Sequence, residues 1–139
     1  MLLNEESLYI SGLTNMASSV SKRMGPSYVQ ADCFDDKNYI KDFCECYEVD
    51  ESNVELVQQN TSFENLMTDL FGDDVDKLIE GLTHWIHMRA GEPRRILSVE
   101  NRKLLDALSE GYGPFYYVED IYFIEFEKMV ICFMIGNDE

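Results

Sequence analysis

The sequence predicts an α+β fold in which a helix-rich N-terminal two-thirds, with four to five helices, packs on a small C-terminal antiparallel β-sheet, all within one acidic domain spanning residues 1–139. Two observations carry this expectation. Apolar residues recur at helical spacing through most of the chain, and after Gly111-Tyr112-Gly113-Pro114 the pattern turns strand-like, rich in aromatic and β-branched residues. A third observation makes a packed core feasible: 45% of the residues are apolar, with eight Phe, eight Tyr and one Trp, which outweighs the disordering effect of a net charge of -16.

The first helix is expected from Asn4, its cap, to the stop at Gly25-Pro26, with Tyr9, Leu13, Met16, Ala17, Val20 and Met24 as its core-facing stripe. Glu5 and Glu6 then fall in the first turn and Lys22 and Arg23 in the last, each complementing the helix dipole. Residues 27–60 are ambiguous. Tyr39, Ile40, Phe43, Cys44 and Tyr47 suit a helix, and the Val54/Leu56 alternation suits a short strand. Ser62 reads as an N-cap for a helix with Phe63, Leu66, Met67, Leu70 and Phe71 on one face, closed by Gly72. A partner helix starts near Asp73 or Asp74, turns Val75, Leu78, Ile79, Leu82 and Ile86 inward, and ends at Ala90-Gly91 before Pro93. These two should form a helical hairpin. A shorter helix is expected from Ser98, with Leu104, Leu105 and Leu108 as its face and Gly111 beyond its end.

Residues 115–126 and 129–135 should pair as a hairpin turning at Glu127-Lys128. The last strand is apolar on both faces, which requires a central or doubly covered position. Helices wrapped over both faces would satisfy it, and so would a homodimer formed through this sheet.

Charge is distributed unevenly. Residues 1–31 are neutral, residues 32–80 hold fifteen acids against three bases, and residues 81–110 carry five bases against four acids. Such a field repels nucleic acid and anionic membrane and favours a basic partner. The N-terminus lacks the basic residues of a secretory signal and no apolar stretch approaches the ~20 residues of a membrane span, so a cytoplasmic protein is expected. Four irregularly spaced cysteines suggest free thiols rather than a disulfide framework.

No chemical motif is well formed. Cys44-Glu45-Cys46 and His84-Trp85-Ile86-His87 offer four zinc ligands, yet their gaps are shorter than the roughly two to four residues usual between paired Cys and three to five between paired His. A small metal- or thiol-dependent enzyme built on these four residues, or on a Cys33 or Cys44 dyad with either His, is an alternative that nothing in the spacing favours. Gly111-Tyr112-Gly113 leaves a helix rather than opening one, the reverse of a phosphate-binding order. Asp73-Asp74-Val75-Asp76 lacks the Gly and terminal Glu of a calcium loop and reads as capping. No cofactor is implied.

Arg89, Arg94, Arg95, Arg102 and Lys103 form a basic elbow suited to an anion or a second subunit, although pairing with the protein's own acids is the simpler account. The acidic segment either keeps the molecule dispersed or presents carboxylates where a basic partner expects phosphates. Glu64, Asp69, Asp73, Asp76 and Glu80 on the helical hairpin are the rigid candidates, with Asp50, Glu51 and Glu55 nearby in sequence. As a class, and not by sequence, this arrangement resembles the acidic inhibitors of phages and mobile elements and the immunity proteins that neutralise nuclease toxins. The function expected is a non-enzymatic module that neutralises a basic, nucleic-acid-processing partner.

Overall fold

The computed structural model describes residues 1–35, 38–110 and 115–138. Helices α1 (Asn4–Val20), α2 (Tyr39–Tyr47), α3 (Phe63–Phe71), α4 (Asp76–Ala90) and α5 (Arg102–Glu110) accompany strands β1 (Tyr28–Phe34), β2 (Leu56–Gln59), β3 (Pro93–Val99), β4 (Tyr117–Phe126) and β5 (Val130–Asn137). The strands form one antiparallel sheet in the order β1-β5-β4-β3-β2, so the fold is α+β. The turn expected at Gly111-Tyr112-Gly113-Pro114 lies outside the described residues.

Strand β5 is internal to the sheet and shows why it is apolar on both sides. Ile131, Phe133 and Ile135 point into a core shared with α1, α3 and α4. Val130, Cys132 and Met134 point into a second core under α2 and α5. Helices of the same chain therefore cover both faces, and the strand needs no second subunit to bury it. Phe133 and Ile131 are fully buried, and truncating either to Ala would remove about 2–5 kcal/mol.

Three strands come from outside the C-terminal region. In β1 the apolar Val29, Ala31 and Cys33 alternate with Gln30 and Asp32 on the opposite face. Those polar groups are held by Tyr47 of α2, whose hydroxyl donates to Asp32 and accepts from the Gln30 amide. Strand β3 opens with Pro93-Arg94-Arg95 and buries Ile96, Leu97 and Val99, so the stretch expected to lead into a helix at Ser98 is a strand, and the helix begins at Arg102.

Helix α1 departs most from expectation. Its buried residues are Ser7, Ile10, Thr14, Ala17 and Ser18, whereas Tyr9, Met16 and Val20 of the expected stripe are each about half exposed (51%, 46% and 52%). The reason lies in the sheet edge. The outward N–H groups of Cys33, Ala31 and Val29 donate to the hydroxyls of Ser7 (2.8 Å), Ser11 (3.2 Å) and Ser18 (3.0 Å), and Thr14 Oγ1 donates to the Val29 carbonyl (2.7 Å). Four helical residues rise about 6 Å and two strand residues about 6.6 Å, so Ser7 and Ser11 match Cys33 and Ala31, while Thr14 and Ser18 both serve Val29. Burying four unpaired backbone groups would cost more than exposing an apolar stripe. Asn4 is the first helical residue rather than the cap, and Leu3 takes the cap position.

Candidate functional site

Helices α3 and α4 form the expected hairpin. Ser62 caps α3 by accepting from the Asn65 N–H at 3.1 Å, and Gly72 ends it with φ of 83°, a conformation in which a side chain would be strained. A 3₁₀ turn at Asp73–Val75 reverses the chain into α4, whose Ile79, Leu82 and Ile86 are buried and whose Val75 and Leu78 flanks pack against the same core.

The outward sides of the two helices enclose an open groove of about 650 Å³. Glu64 and Thr68 lie one turn apart on α3, and Asp76, Glu80, His84 and His87 recur at steps of four, four and three on α4, so each set occupies one helical face. Eleven residues from Asp76 to His87 make the groove roughly 16 Å long. Ile79, Thr83 and Met88 complete its walls, and Glu92 closes the far end. Four carboxylates, those of Glu64, Asp76, Glu80 and Glu92, thus converge on one concave surface.

His87 marks the end where α3 starts and α4 finishes. Its Nε2 lies 3.0 Å from Glu64 Oε1 and its Nδ1 lies 3.8 Å from Glu92 Oε1. The Glu64 contact is at ion-pair distance without hydrogen-bond alignment, because no partner meets the Nε2 donor direction among the described residues. The ring packs near Phe63 and Phe126, with centroids at 5.9 and 6.5 Å. Its carboxylate neighbours remain open to solvent, Glu64 at 58% and Glu92 at 78% exposure.

Of the acids singled out in the sequence, Glu64, Asp76 and Glu80 meet in this groove. Asp73 and Asp69 do not line it. Asp69 is more than a quarter-turn away from Glu64 on α3 and contributes, after burial, Asp120 and Glu100, to raising the Tyr122 hydroxyl pKa. Asp50 and Glu51 lie beyond α2, against the Cys44 thiol on the opposite side of the sheet, and Glu55 follows them immediately before β2. Sequence reasoning missed Glu92, Thr68 and Met88. Glu92 sits in a stretch dominated by arginines, but the four-residue ladder of Asp76, Glu80 and His84 is readable as one helical line.

The zinc or thiol alternative is corrected by placement. Cys44 and Cys46 ride on α2 over one face of the sheet and His84 and His87 on α4 over the other, so the four do not meet, and no group of three potential ligands gathers among the described residues. All four cysteines are unpaired. Burial pushes the Cys33 thiol up to about 12 and Cys44 up to about 11, with Cys46 and Cys132 also raised, the opposite of an activated nucleophile.

The basic elbow is largely engaged internally. Arg95 forks onto Glu125 (2.7 and 2.9 Å), Arg102 meets Asp106 (2.9 Å) and lies over Tyr117, and Arg89 pairs with Glu6 while lying 5.5 and 5.1 Å from the Tyr9 and Trp85 rings. Arg94 and Lys103 are exposed without an ion pair among the described residues. No described helix is long and apolar enough to cross a membrane. Comparison with protein-family models, with curated proteins and with solved structures returns no match, so the chain is characterised by its own geometry: an α+β fold with an acidic groove on its helical hairpin.

Proposed function

We propose that the protein is a non-enzymatic binding module that seats a Lys- and Arg-rich surface of a macromolecular partner in the α3/α4 groove, and so competes with the nucleic acid that the partner handles. One observation supports the reading above the others: Glu64, Asp76, Glu80 and Glu92 converge on a single concave surface formed along the α3/α4 hairpin. The walls supplied by Ile79 and Met88 accommodate the methylene stems of Lys and Arg while the rim carboxylates take their charged ends. The mode is that of acidic inhibitors and immunity proteins, which neutralise a basic enzyme by occupying its nucleic-acid surface.

The test is affinity capture from the native cell with two baits, the unaltered chain and a chain carrying Glu64→Lys, Asp76→Lys, Glu80→Lys and Glu92→Lys. The unaltered bait should retain a basic protein that is released steeply as salt rises, and the reversed bait should lose it. Reversal of Asp69 and Asp73, which lie off the groove, should leave capture nearly intact. Salt-insensitive capture, or equal capture by the reversed bait, overturns the proposal.

A further inference from the structure

Because α1 spends its hydroxyl stripe on the edge of β1, its apolar stripe of Tyr9, Leu13, Met16 and Val20 faces outward. Three of these are about half exposed, and Leu13 is only partly covered. The stripe borders a second groove of about 300 Å³ toward α4, whose far wall is Leu78, Gly81 and Trp85. Tyr9 stacks on Trp85 with ring centroids 4.5 Å apart, which fixes one end of the surface.

We infer that this surface is a self-association site, occupied by α1 of a second copy of the chain running antiparallel to the first. Charge argues for that occupant. The molecule carries -16 in all, and two copies repel least where residues 1–31, neutral in sum, face each other. The stripe is also self-complementary. Its steps of four, three and four read the same in both directions, so a two-fold axis at its middle sets Tyr9 opposite Val20 and Leu13 opposite Met16, in the manner of an antiparallel coiled-coil seam. The same axis carries Glu5, at the start of one helix, toward Lys22, just past the end of the other. Both are exposed and neither side chain has an ion pair within its own chain among the described residues. Gly12 adds no side chain beside the stripe, where even a Cβ would have open space within 4 Å. With one helix and part of another on each side the interface is small, and a dimer dissociating in the micromolar range is expected.

Sedimentation velocity on the full chain tests this. The dimer fraction should rise from low to high micromolar protein and should rise further with added salt, because salt screens the repulsion between two acidic bodies. That sign is opposite to the salt response expected of partner capture by the α3/α4 groove, so the failure of one reading is distinguishable from the failure of the other. Met16→Glu and Val20→Glu, at exposed positions where circular dichroism should report an unchanged fold, should each raise the dissociation constant at least about tenfold by burying an unpaired carboxylate. Glu5→Lys and Lys22→Glu should each weaken the dimer, and the double exchange should restore it. A monomer at every salt and protein concentration, a dimer indifferent to Met16→Glu and Val20→Glu, or a double exchange no stronger than the single ones overturns the proposal.

Discussion

Helix α4 separates two grooves of opposite character. Toward α3 it presents Asp76, Glu80, His84 and His87 in a row, facing Glu64, with carboxylates at both ends. Toward α1 it presents Leu78, Gly81, Leu82 and Trp85, facing Tyr9, Leu13 and Met16, with Lys77 at the rim. Under the two readings proposed above, one helix carries two surfaces that should respond to salt in contrary ways: cation binding at the first should weaken, and apolar association at the second should strengthen once long-range repulsion is screened. The difference originates on the opposite face of α1. Helix α1 offers its apolar stripe to solvent because its serines and threonine are committed to the backbone of β1.

The largest test of that contrast breaks the commitment. Ser18 both donates to the Thr14 carbonyl (2.7 Å) and accepts from the Val29 N–H, and Thr14 donates to the Val29 carbonyl (2.7 Å). Replacing them together, Ser18→Ala with Thr14→Val, leaves buried backbone groups unsatisfied and should cost about 2–4 kcal/mol in urea denaturation, against the near-neutrality expected if α1 were held by apolar packing alone. A change below the error of the extrapolation would refute the account of the helix orientation.

A smaller effect should distinguish both grooves from the far face of the sheet. Burial raises the Asp32 carboxyl above the ordinary carboxylate range, opposed by hydrogen bonds from Tyr47 and Gln30. The folded state then holds this proton more tightly than the unfolded chain does. Its contribution to stability is full below the ordinary carboxylate pKa and is lost as pH rises through the raised value. Asp32→Asn should remove this component, so stability measured from pH 4 to pH 7, a range set by ordinary carboxylate titration, should fall less than in the unaltered chain. An unchanged profile would place the titration elsewhere.

Two slight substitutions sharpen the comparison from the exposed sides. Gly12→Ala fills open space on α1 and should stabilise the fold by about 0.5–1 kcal/mol in thermal melts, since glycine is a poor residue inside a helix. Glu80→Gln relieves the like-charge pair with Asp76 one turn earlier and should add about 0.2–0.5 kcal/mol at low salt and nothing at high salt. Stabilisation that persisted at high salt would show that the α3-side acids do not repel one another.

The legible parts of the chain were those in which periodicity and burial coincide. The α3/α4 hairpin, with Ser62 and Gly72 as its punctuation, and the β4/β5 hairpin turning at Glu127-Lys128 follow their sequence patterns closely. Strand β1 lay in the ambiguous stretch 27–60, although Val29, Ala31 and Cys33 alternate with Gln30 and Asp32 as a strand should; what the sequence does not reveal is that Tyr47 holds those two polar groups. Strand β3 was hidden by the arginines at its start. The face of α1 was misread for a deeper reason: an apolar stripe is a weaker claimant on the interior than a row of hydroxyls when the surface to be covered is a strand edge with its amides unpaired. Within the acidic groove, Glu64, Asp76 and Glu80 were readable from helical spacing, whereas Glu92 joins them only because α4 ends where α3 begins.

The pairing of β1 with β5 also constrains the order in which the molecule can be assembled. Tyr28 meets Gly136 and Phe34 meets Val130, so an early strand finds its neighbour only when the last strand exists. The outer edge of the same strand is satisfied locally, by the hydroxyls of α1. In the folded molecule the helix thus blunts one edge of β1 and β5 covers the other, and the β1–β5 pairing is a contact of long sequence separation, the kind that slows folding.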